Sequence, residues 1–178
     1  MSTCTFAAIP GTLFSAVLAL LTHPNILTTA YSELTSIIRN PSRTPTFSDH
    51  ESGLPYINAL VHEILRWRPV IVVVLGLAHA TTSIDTYTQH RIPAQTTVLV
   101  NTYAINTHPD YFPNPDVFEP ASFLYPSDPR FRKDVKGTRE FPGKLRNYGF
   151  GWGRRACAGA GLAGEFDLDL CSKWGVSV

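Results

Sequence analysis

The chain has 178 residues, 44% of them hydrophobic, enough to bury one respectable core. Its formal net charge of +1 argues against the chain as a whole being drawn to nucleic acid. Three cysteines, Cys4, Cys157 and Cys171, stand too far apart for a disulfide framework or a zinc pair and point to a reducing, intracellular compartment.

Residues 12–22, "TLFSAVLALLT", predict a helix that is apolar almost all round and therefore buried on most sides, with Pro10 and Gly11 breaking or starting it. "HPNILTTAYSELTSIIRN" predicts a second helix, with Pro24 in its first turn and Ile26, Leu27, Leu34, Ile37 and Ile38 as a loose apolar face. Residues 40–53 read as loop by composition. The clearest helix is "LPYINALVHEILRWRPV", where Ile57, Leu60, Val61, Ile64 and Leu65 recur at helical spacing until Pro69 stops the run. Glu63 and Arg66 lie three apart, opposite that stripe. On residue pattern alone they read as an exposed ion pair of little worth.

The pattern then turns to β. "VIVVVLGLA" and "TTVLVNTY" predict strands, joined by a polar turn segment, "TYTQHRIPAQ". Residues 104–147 form a proline-rich stretch with little core of its own, which must wrap a ligand or pack on other chain. Charge concentrates there. Arg130, Arg132, Lys133, Lys136, Arg139, Lys144 and Arg146 face only Asp134 and Glu140, a solvated loop or a docking surface for an acidic partner. The longest apolar runs, 13–21 and 70–77, fall well short of the ~20 residues a membrane span needs, and no secretory signal is visible.

The densest chemistry is "YGFGWGRRACAGAGLA", residues 148–163. Gly151-Trp152-Gly153-Arg154-Arg155-Ala156 matches the dinucleotide fingerprint G-x-G-x-x-A, but the charged residues before it cannot form the buried strand that fingerprint requires. Cys157 offers another reading. Two arginines precede it and a candidate helix follows, conditions that favour a thiolate. Glycines allow close approach of a large flat ligand, and Phe150 could shield the sulfur from water. No second or third metal ligand lies nearby, so haem-thiolate ligation fits better than zinc. A small buried cysteine in a glycine-rich turn remains an equal alternative on the residues alone.

"FGWGRRACAG" resembles the haem-binding signature of the cytochrome P450 family, F-x-x-G-x-x-x-C-x-G, with Phe150, Gly153, Cys157 and Gly159 at its fixed positions and Arg155 at the propionate-pairing position. "HEILRWRP" resembles the family's E-x-x-R element, giving Glu63 and Arg66. "LAHATTSIDTYTQHRIPAQTTVLVN" resembles its following sheet region, with His79 near a haem propionate, and "HPDYFPNPDVFEPASFL" resembles its F-x-P-x-R-F stretch. The sequence pattern looks fungal.

The resemblance implies a mainly α fold with a small β-sheet region (α+β), the C-terminal part of the P450 fold. Residues 1–68 would be helices, including the end of the distal helix; 69–103 the small β region; 104–147 the meander; 148–163 the haem loop; and 164–178 a divergent tail. It implies a haem b cofactor ligated by Cys157, and a monooxygenase that takes electrons from an NADPH-dependent reductase and acts on a small apolar substrate. The meander would cover the polar face of the E-x-x-R helix, and the reductase would dock on the basic stretch. The family is often anchored to the endoplasmic reticulum; no anchor is visible here.

The pattern also departs from the family. Ser122 stands where F-x-P-x-R-F has its arginine, so the Glu63–Arg66 network lacks a third ionic member. Counted back from His23-Pro24, the family's distal acid–alcohol pair falls near Ala7 and Ala8, which cannot relay protons, so no catalytic residue is identified. The larger N-terminal part of the fold is not in this sequence, and residues from Gly164 onward resemble the family poorly. An inactive, truncated relative without stable haem is therefore the main alternative, and a dinucleotide-binding domain a remote one.

Overall fold

Helix α1 (Cys4–Thr22) runs straight through the position where a break was expected, with Pro10 inside it. Proline forfeits one hydrogen bond of the ladder and crowds the preceding turn. Beyond it, Ala16, Ala19 and Leu20 are buried and hold the helix to the core. Gly11 lets α1 pass close to another segment: a β-carbon there would lie 2.7 Å from both Val70 methyl carbons. In this computed structural model the described residues are 4–37, 54–70, 79–99 and 101–133, with only the backbone of 4–9, 79 and 80.

The chain bends by 104° between residues 10–22 of α1 and α2 (Pro24–Ile37). His23 makes the corner. Its N–H donates to the Ala19 carbonyl at 3.0 Å, and Pro24 then opens α2, where the absence of an N–H costs nothing. Ala30 and Leu34 are buried, with Ile26, Leu27 and Ile37 packed against them as the apolar spacing predicted. Glu33 is buried too, which that spacing did not predict.

Helix α3 (Pro55–Trp67) is enclosed on nearly every side. Ile57, Leu60 and Ile64 are almost completely inaccessible and form the centre of the core with Leu54, Ala16, Ala19, Leu20 and Leu34. Its opposite face is covered by the meander, through Phe118, Ala121 and Leu124.

Of the expected β region, the strand at 70–78 lies outside the described residues beyond Val70, and the described part is differently placed than expected. Strand β1 (His79–Ala80) pairs antiparallel with β4 (Thr97–Val98), with His79 opposite Val98. Between them lies a second antiparallel pair, β2 (Asp85–Tyr87) and β3 (His90–Ile92), inside the segment read as a polar turn. Thr88 opens its two-residue loop with φ 55°, and Thr86, Tyr87 and Ile92, residues that favour extended chain, flank it in a short, largely exposed ladder. The expected strand at 96–103 also stops early. Asn101 accepts the Ala104 N–H at 2.9 Å and starts helix α4 (Thr102–Asn106). The described part of the meander then contains a 3₁₀ turn, η1 (Pro120–Phe123). The architecture is mainly helical with small antiparallel β pairs.

Candidate functional site

Glu63 and Arg66 project from the side of α3 that faces the meander, and both are buried, with side chains 1% and 3% exposed. The exposed ion pair that the residue pattern suggests is therefore overturned. A helical wheel sees only the apolar stripe, and not the segment that covers the other face.

The pair is bidentate. Arg66 Nε donates to Glu63 Oε2 at 2.6 Å and Nη2 to Oε1 at 2.8 Å. The rest of the guanidinium holds main chain: Nη1 donates to the carbonyls of Asn106 and Pro115 at 3.1 and 2.8 Å, and Nη2 to that of Val117 at 3.1 Å. Glu63 Oε1 accepts the Glu119 N–H at 2.7 Å, and the Arg66 guanidinium lies over the Phe112 ring. One helix turn thus fixes the path of residues 106–119, which have little regular structure to do so themselves. Burial pushes the Glu63 carboxyl above its ordinary range, while Arg66 and the Glu119 amide pull against it. The neighbouring Trp67 Nε1–H adds a bond to the Asp116 carbonyl at 2.9 Å.

A cavity of about 40 Å³ adjoins the pair, lined by Glu63, Arg66, Phe112, Asn114, Val117, Glu119 and Ser122. Ser122 spends its hydroxyl on the Glu119 carbonyl at 2.8 Å and sends no charge toward Glu63.

A second polar cluster closes the other end of α3. No side chain of the local sequence caps this helix. Instead Glu33 reaches across from α2 and accepts the N–H groups of Tyr56 and Ile57, at 3.0 Å and 2.9 Å from Oε2. Arg130 pairs with Glu33 and with Asp128, each at 2.7 Å, and covers the Tyr56 ring. Burial, with a smaller contribution from the charge of Glu119, pushes the Tyr56 hydroxyl up to about 12. Reading the sequence for motifs missed this cluster. Its signal was Pro55 opening a helix after Leu54, which leaves the first N–H groups without a local acceptor.

The basic stretch is consequently less available than its composition suggests. Arg130 is committed to two carboxylates, and Arg132 pairs with Glu119 at 2.9 Å. Lys136, Arg139, Lys144 and Arg146 lie outside the described residues, as do Phe150, Gly153, Arg155, Cys157 and Gly159. His79 sits on β1, with only its backbone described, and Ala7 and Ala8 lie within α1. Among the described residues no three histidines, cysteines or acids gather as a metal cluster.

The sequence profile described as Cytochrome P450 matches residues 10–165. The chain belongs to the cytochrome P450 family. It is 34% identical over 152 residues to cytochrome P450 monooxygenase atE of Aspergillus terreus, covering 85% of this chain and 27% of that protein. It is 35% identical over 151 residues to cytochrome P450 monooxygenase 231 of Postia placenta, covering 85% and 25%. These P450 relatives are fungal, as the sequence pattern suggested. A zebrafish cytochrome P450 solved with progesterone superposes with a TM-score of 0.74 at 28% identity, over 95% of this chain and 35% of that one. The chain thus spans about a quarter of the length of these curated P450 relatives. The P450 family uses haem and works with redox partners on small substrates. Among the described residues no single helix is long and apolar enough to cross a membrane.

Proposed function

We propose that this chain supplies the proximal side of a haem-thiolate monooxygenase site, with Cys157 as the iron ligand. The observation that carries the reading is the buried Glu63–Arg66 pair holding residues 106–119, in a chain whose sequence continues into F-x-x-G-x-x-x-C-x-G at 150–159. The donor set fits the group: one thiol beside two arginines, in glycine-rich chain that admits a flat macrocycle. When bound, haem b supplies the oxidative chemistry, with electrons from a reductase and a small apolar substrate as acceptor of oxygen.

The roles of this chain's residues follow. Cys157 as thiolate would hold the haem iron, and Arg155 and His79 would pair with the haem carboxylates. Phe150 shields the sulfur, while Gly153 and Gly159 allow close approach. Glu63 and Arg66 position the meander that leads into the loop. Reductase docking falls to Lys133, Lys136, Arg139, Lys144 and Arg146, since Arg130 and Arg132 are paired within the chain.

A specific observation favours a second reading for oxygen activation. Helix α1 includes Ala7 and Ala8, and an alanine side chain has no exchangeable proton to relay. On that reading the chain ligates haem without running the complete monooxygenase reaction.

A carbon monoxide difference spectrum of the reduced chain, with and without added haem, tests the assignment. A thiolate-type Soret band that Cys157→Ala abolishes is the expected result. Absence of the band in the haem-supplemented wild-type chain overturns it. Substrate turnover with a reductase then separates the two readings of oxygen activation.

A further inference from the structure

Two carboxylate residues, Glu63 and Glu119, line the cavity beside α3, together with the guanidinium of Arg66. Ser122, on the same wall, adds no cation. Like charges that share a half-enclosed site oppose one another, and the charge of Glu119 pushes the Glu63 carboxyl upward. Glu119 is tied to both sides of this balance. Its N–H donates to Glu63 Oε1 at 2.7 Å, and its Oε2 accepts Arg132 Nη1 at 2.9 Å. Its Oε1 also receives the Ala121 N–H, so the carboxylate is held over the start of η1.

We propose that Arg132 is a positioning residue for the Glu63–Arg66 clamp, acting through Glu119, and that it supplies from further along the chain the charge that Ser122 lacks. By neutralising Glu119 it leaves Glu63 as the one uncompensated partner for Arg66, and keeps residues 115–119 seated on α3. Among the described residues, the charged groups facing Glu63 are Arg66 on its own helix and Glu119 from the segment packed against it. Arg132 faces Glu119 from outside and is 53% exposed, so replacing it leaves no buried hole. The inference is independent of haem binding.

The test is a carboxyl ¹³C titration of Glu63 in the full chain, from neutral pH downward. The pH at which the signal moves is the readout, whether Glu63 titrates in the folded chain or as the fold opens. Arg132→Gln is expected to move that pH upward, and to have no effect in a Glu119→Gln background. An unmoved midpoint in Arg132→Gln overturns the proposal. So does an equal shift in the Glu119→Gln background, because Arg132 would then act by another route.

Discussion

Glu33 of α2 and Arg130 of the meander meet at 2.7 Å beside the N-terminus of α3. The carboxylate does two things there, accepting the orphan N–H groups of Tyr56 and Ile57 and pairing with the guanidinium. Three segments distant in sequence are joined at one side chain. Glu33→Ala leaves two buried N–H groups without that acceptor, and is expected to cost about 2–4 kcal/mol in urea unfolding. Arg130→Ala is expected to cost less, about 1 kcal/mol, because its side chain is about a third exposed and solvent screens the pair.

At the Glu63–Arg66 clamp, loss of either partner strands the other as a buried charge. Glu63→Ala and Arg66→Ala are each expected to destabilise by about 3–5 kcal/mol. The double variant should cost clearly less than the sum, since no unpaired charge is then left behind. Additive losses in a denaturation cycle would contradict the clamp.

The cavity next to Ser122 offers space and two acidic neighbours to an incoming guanidinium. Ser122→Arg is expected to raise the melting temperature by about 2–4 °C, equivalent to about 1 kcal/mol for a chain of this size. A fall in melting temperature would mean that the side chain is rejected from the cavity.

Acid should weaken the Asp128–Arg130 pair. Hydrogen bonding from Arg130 holds the Asp128 carboxyl below its ordinary value of 3.8. A group depressed in the folded state contributes stability above its unfolded pKa, and loses it as pH falls through the folded one. Stability is therefore expected to drop below about pH 4, and Asp128→Asn should flatten that part of a stability–pH profile.

The β2–β3 hairpin carries its own local cost. Thr88 holds φ at 55°, where a branched side chain is crowded against its own backbone. Thr88→Gly is expected to slow amide exchange in the hairpin by up to about fivefold, the equivalent of about 1 kcal/mol.

What the sequence revealed and what it hid divide along physical lines. The apolar face of α3 was legible because Ile57, Leu60 and Ile64 repeat at the helical period and the core selects for that repeat. The burial of Glu63 and Arg66 was not, because no local pattern says what will cover a polar face; only the family resemblance did. Pro10 misled for a related reason: its local penalty is visible in sequence, while the packing of Ala16, Ala19 and Leu20 that outweighs it is not. Glu33 and Arg130 lie nearly a hundred residues apart, beyond any periodicity. The hairpin at 85–92 and the early end of the 96–103 strand were not legible, because short exposed ladders draw on turns and caps, here Thr88 and Asn101, more than on hydrophobic alternation.

Arg66 and Trp67 grip the meander by the main-chain oxygens of residues 106, 115, 116 and 117. A carbonyl is the same whatever side chain accompanies it, so this recognition is blind to residue identity and sensitive to spacing. Substitutions along that stretch can accumulate freely wherever the side chains face solvent. Inserting or deleting a single residue between 106 and 117 would put every downstream oxygen out of step with the guanidinium. Over evolutionary time the solvent-facing positions of 106–117 are thereby free to change their letters, while the stretch is not free to change its length.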